Sequence, residues 1–168
     1  MSWLYDIISV NAFWTSLLII HGLVAVALLG AISHQSLAVL RPIISPNRDK
    51  SFFEEFRSVK AMKYTNAVCI LWIISFLLGG WIYSEYRINV RIPIEQQEYF
   101  KTLGVFELKE HLVVLGLAML PIYHFAWKYA QDAKYAQLRK YTTLFLALVC
   151  WYAFLIGHIV NNVRGYGA

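Results

Sequence analysis

The sequence predicts an all-α integral membrane protein: a four-helix bundle with both termini on the outer side of the bilayer. Three observations predict it. Hydrophobic residues make up 59% of the 168-residue chain and charged residues only 15%, outside the range of soluble globular domains. Four runs free of Asp, Glu, Lys and Arg cover 7–40, 64–84, 111–127 and 141–163, against the ~20 apolar residues that a membrane span needs. Basic residues divide unevenly between the connections: ten (Arg41, Arg48, Lys50, Arg57, Lys60, Lys63, Lys128, Lys134, Arg139 and Lys140) fall in the first and third, and five (Arg87, Arg91, Lys101, Lys109 and Arg164) on the other side. The positive-inside rule then assigns the first and third connections to the cytoplasm.

The expected spans are 11–38, 63–84, 108–128 and 141–163, within a single transmembrane domain 1–168. The first apolar run exceeds one span, so Trp3 to Val10 is expected along the interface before the helix turns in near Asn11. A cleaved signal peptide fits poorly, because Asp6 and no basic residue precedes the run. In the first connection, Pro42 and Pro46 are followed by Phe52, Phe53, Phe56 and Val59 at helical spacing among charges. That pattern suits a short surface amphipathic helix or, preferably, an ordinary interfacial connector. The outer connection from Glu85 to Glu110 sets Arg87 and Arg91 before Pro93, and Glu95, Glu98, Glu107 and Glu110 after it. Such a mixed-charge surface suits docking of a soluble partner or clasping of neighbouring subunits. In the third span, Pro121 is the natural place for a kink.

Trp14 and Trp81 are expected at the outer interface, and Tyr64, Trp127 and Tyr141 at the inner one. The net charge of +5 is accounted for by flanks facing anionic lipid, with no nucleic acid involved. Cys69 and Cys150 belong to no C-x-x-C-H or zinc pattern and read as small buried hydrophobes. No H-E-x-x-H, G-x-S-x-G or Walker-type glycine loop is present, so nothing points to a protease, an esterase or a nucleotide-driven protein.

Histidine is the informative residue type. Five occur in or at the ends of the apolar runs, where an ionisable side chain is costly and normally faces the bundle interior. His21 and His34 are 13 residues apart, as are His111 and His124. On a helix that is ~20 Å, or two levels near the two faces of a bilayer. The first and third spans run in the same direction, so His21 can face His111 and His34 can face His124.

This ligand pattern, on two helices of the chain, resembles the cytochrome b of quinol-oxidising respiratory complexes, where two parallel helices each supply two axial histidines to stacked haems. The family's usual interval is about one residue longer, and 13 steps leave two side chains ~140° apart around a helix. A second pairing answers that offset: His111 with His158 at the outer level and His124 with His34 at the inner. His21 would then bind a quinone, hydrogen-bond backbone, or replace His158. Both pairings use His34 and His124; His111 comes next, ahead of His158 and His21.

The resemblance implies one or two non-covalent b haems, and a quinone as a further ligand. It implies an electron-transfer subunit of an oxidoreductase complex rather than a stand-alone enzyme, working between a quinone pool and a redox partner. The implied partners are other membrane and extracytoplasmic subunits and a c-type cytochrome or other soluble carrier, and the implied location is a bacterial inner membrane. Arg41 and Lys128 on the inner side, and Arg87, Arg91 and Arg164 on the outer, can pair with haem propionates or simply snorkel. Glu107, Lys109 and Glu110 can pass protons to a quinone, although an acidic cluster favoured at a helix start is the plainer reading. Gly22, Gly30, Gly79, Gly80, Gly116 and Gly157 suit close packing of helices. The alternative function is a cofactor-free structural or assembly subunit. A copper or haem transporter is a third, and the scarcity of Met and Cys along the spans argues against copper.

Overall fold

The computed structural model describes residues 9–40 and 61–163, and every element in them is helical. The segment Phe52 to Val59, most of the interfacial segment Trp3 to Val10, Arg41 and Arg164 lie outside the described residues. The long helices are α1 (Val10–Leu40), α2 (Tyr64–Tyr86), α4 (Phe100–Lys128) and α5 (Ala136–Val163), with a short α3 (Ile92–Gln96) between α2 and α4. Helix is the form that apolar runs must take in hydrocarbon, because each backbone N–H and C=O then finds its partner within its own segment.

Three stretches are long and apolar enough to cross a membrane: Val10–Leu40, Tyr64–Gln96 and Ala133–Val163. Helix α4 matches them in length but is not one of the three. Glu107, Lys109, Glu110 and His111 crowd its first half, and Pro121 and His124 dilute its second.

The packing closes a ring in chain order. Helix α1 lies against α2, α4 against α5, and α5 against α1, while α2 touches α4 more sparsely. Helices α1 and α4, which carry four of the five histidines, therefore sit across the ring from each other rather than side by side. The end of α1 meets the start of α2 through Gln35 and Thr65, and the end of α4 meets the start of α5 through Trp127 and Thr143. We call this end inner and the opposite end outer.

Two clusters fill the ring. The main one joins Ile32, Val68, Trp72, Leu120, Tyr123, Leu146 and Val149, and an outer one joins Tyr86, Val90, Ile94, Leu103, Phe106 and Val160. Gly116 is needed at the α2–α4 contact: a Cβ there would lie 2.2 Å from Trp72 Cζ2, inside van der Waals contact. The indole thus lies against the α4 backbone, and its Nε1 donates to the Val113 carbonyl at 3.4 Å.

The outer connection is far more helical than the sequence suggests. Helix α2 passes through a π-helical stretch, Arg87–Arg91, directly into α3, whose first turn accommodates Pro93 because a first-turn residue needs no intrahelical N–H bond. The chain reverses only at Gln97 to Tyr99, with Glu98 in the left-handed region at φ 60°. Helix α4 accordingly begins at Phe100 rather than 108, and it runs on through Pro121 without a break. Trp127, expected in the inner aromatic belt, is buried and donates to Thr143 Oγ1 at 2.9 Å.

Candidate functional site

The inward stripe of α1 consists of Leu17, His21, Leu28, Ile32 and Gln35, spaced to fall on one side of the helix. Two of those side chains are polar, and their surroundings differ. Gln35 is fully buried; its Oε1 accepts from the Tyr123 hydroxyl and its Nε2 donates to Thr65 Oγ1 at 3.2 Å. His21 has a buried Nδ1 with no hydrogen-bond partner among the described residues.

Helix α2 makes room for the His21 ring. A Cβ at Gly79 would lie 3.3 Å from His21 Cε1, so the ring rests against α2 where a side chain is missing. On α4, Lys109 and Glu110 stand in the outer half of the bundle. These two form an ion pair at 2.6 Å, and the Lys109 ammonium stands 3.9 Å from the centre of the Phe106 ring. Phe106 in turn stacks on Tyr86 at 4.2 Å. The outer part of the bundle thus holds the His21 ring against α2 and, on α4, the Lys109–Glu110 pair beside Phe106 and Tyr86. His21 and Gly79 sit on different helices, so no local pattern in the sequence encodes their approach.

The other histidines distribute as follows. His111, on the same turn of α4, is exposed; its Nδ1 lies 2.7 Å from the Glu107 carbonyl. That contact fits an Nδ1–H donor and leaves Nε2 as the free lone pair, the tautomer in which histidine ligates metals. His158 is exposed near the outer end of α5 and stacks on Phe154 at 5.2 Å. His34 is buried and packs on the Tyr64 ring at 4.6 Å. His124 is exposed, with Nε2 3.1 Å from Asn66 Oδ1.

The expected inner pair is therefore not brought face to face. Tyr64 and Asn66 are two residues apart on α2, or ~200° around the helix. His34 and His124 consequently approach α2 from nearly opposite sides. At the outer level the His21 ring rests on α2 at Gly79, while His111 is exposed and lies two residues from Lys109, ~200° around α4. Groups of three or more His, Cys, Asp or Glu side chains able to hold a metal ion are absent among the described residues; axial ligation of a haem needs only two such side chains. Comparison of the chain with protein-family models, with curated proteins and with solved structures finds no match.

Proposed function

We propose that this chain is a b-type cytochrome subunit of a bacterial inner-membrane redox complex. It would pass electrons between a quinone pool and a redox partner as a four-span bundle with both termini outside. One observation carries the reading: the buried ring nitrogen of His21, without a hydrogen-bond partner among the described residues, on a ring that rests against α2 at Gly79. A buried polar atom left without a partner costs about 1–3 kcal/mol. A chain with so apolar an interior retains such an atom where something else engages it.

The fit to a haem differs by level. His21 meets it by its orphaned nitrogen and by the missing side chain at Gly79, and His111 meets it by its anchored Nδ1 and open Nε2. His34 and His124 lie on two sides of α2, so this reading favours one outer haem over two. Bound haem b supplies the one-electron chemistry. The chain's own part is to orient His111 through the Glu107 carbonyl and to bury the His21 nitrogen away from water. The exposed side of α4 leaves His111 within reach of neighbouring subunits.

The inner half supports a second reading, a structural subunit without cofactor, because Gln35, Thr65, Tyr123, Trp127 and Thr143 are used up in bonds to one another. A pyridine-haemochrome assay on the purified full-length protein separates the two. The cytochrome reading expects haem b, lost in His21→Leu and His111→Ala and kept in His124→Leu. Protein that purifies folded and without haem overturns it in favour of the structural subunit.

A further inference from the structure

The turn between α4 and α5 carries a second polar feature that the redox reading does not use. The rings of Phe125, Tyr129 and Tyr135 form a closed triangle with centroid separations of 5.0, 5.1 and 5.8 Å. The Lys128 ammonium stands 5.8 Å from the Tyr129 ring and the Lys134 ammonium 5.5 Å from the Tyr135 ring, so the triangle carries one cation at each tyrosine. Asp132 holds the turn by accepting from the Lys134 N–H at 2.9 Å. Arg139 lies 5.8 Å from the Trp127 ring and donates to the Ala126 carbonyl at 3.3 Å.

Charge balance separates this turn from the opposite end of the bundle. At the outer end Arg91 bridges Glu95 at 2.8 Å and Glu107 at 3.2 Å, and Lys109 pairs with Glu110. The inner turn has Lys128, Lys134, Arg139 and Lys140 against the single acid Asp132. None of its four cations has an ion pair among the described residues. The turn also leads into Ala133–Val163, a stretch fit to cross a membrane, which sets it at headgroup depth. Phe125 and Tyr129 are 42% and 43% exposed there, at a level where amphipathic rings are stable and bulk water would not favour Phe125.

We propose that the α4–α5 turn is a binding site for the phosphate headgroup of an anionic phospholipid, with Lys128 and Lys134 as the phosphate contacts and the aromatic triangle seated among the glycerol and upper acyl groups. A membrane lipid is favoured over a soluble anion because the cations are mounted on exposed apolar rings, which a lipid covers and a free ion does not.

The test uses full-length protein in nanodiscs of phosphatidylcholine with a varied fraction of phosphatidylglycerol, with retained lipid counted by native mass spectrometry. The wild type is expected to retain phosphatidylglycerol preferentially. A juxtamembrane lysine is worth about fivefold in attraction to an anionic surface, so Lys128→Gln with Lys134→Gln should weaken retention about 30-fold. Lys101→Gln, at the outer end, should leave retention unchanged. Both inner lysines are exposed, and helicity in neutral lipid checks that the double variant folds. Equal retention by the folded double variant, an equal loss in Lys101→Gln, or displacement of the lipid by inorganic phosphate at equal concentration each overturns the proposal.

Discussion

The inner and outer halves of this bundle handle buried polarity in opposite ways. On the inner side Gln35, Tyr123 and Thr65 satisfy one another across α1, α4 and α2, and Trp127 closes on Thr143 across α4 and α5. On the outer side His21, on the same stripe of α1, has a buried ring nitrogen without a hydrogen-bond partner among the described residues. An unpaired polar group in an apolar interior destabilises the fold, whereas a paired one is roughly neutral or mildly favourable. The paired groups of the inner half therefore favour the fold, and the His21 nitrogen is a group open to a further partner.

That contrast can be broken at four positions. The largest effect is expected at Gly116, where alanine would drive its Cβ into Trp72. Overpacking of this kind costs about 1–3 kcal/mol, measurable as a lowered midpoint of thermal unfolding in detergent. A wild-type midpoint would show that the inner half is not the rigid one. Next comes Tyr123→Phe, which strips the hydroxyl from Gln35 Oε1. The loss should be about 1 kcal/mol, since interhelical hydrogen bonds in membranes average a little less and a buried orphan a little more.

His21→Leu should act in the reverse direction. In haem-free protein, removing the orphaned nitrogen should leave the unfolding midpoint unchanged or raise it by about 1 kcal/mol equivalent; in haem-loaded protein the haem absorbance disappears, and with it the stabilisation that a bound ligand lends the native state. Destabilisation of the haem-free protein comparable to Tyr123→Phe would mean that His21 is a packing residue like its inner counterpart. The smallest effect belongs to Gly79→Ala, whose Cβ would press on His21 at 3.3 Å. A shift of a few tenths of an ångström in one ring should move the midpoint by less than about 1 kcal/mol but perturb the spectrum of any group bound at His21. A silent spectrum in haem-loaded protein would separate Gly79 from the site.

Much of the fold was legible in the sequence because its drive is compositional. The boundaries of α1 follow the apolar run from Ile7 to Leu40 closely, and those of α5 follow the run that ends at Val163. The outer connection was not legible in the same way. Pro93 and the charges around it suggest a loop, yet a first-turn proline is compatible with helix, and Arg91 bonds to Glu95 one turn on and to Glu107 on α4. In the site, the histidines were visible as a set and their depths followed from counting. Their directions did not follow, because a helix's rotation is set by what its other faces bury.

By itself, then, the sequence determined the all-helical class, the apolar stretches and the two depths at which histidines recur, since length, hydropathy and helical rise are properties of a segment alone. Only the tertiary structure decided which histidines share surroundings. It turned Gln35 and Tyr123 toward each other, set His34 and His124 on opposite sides of α2, and brought His21 to Gly79. The physical reason is that such juxtapositions depend on the rotation of each helix about its axis. Close packing around Trp72 and Gly116, together with the pairing of buried polar groups, fixes that rotation across the whole ring.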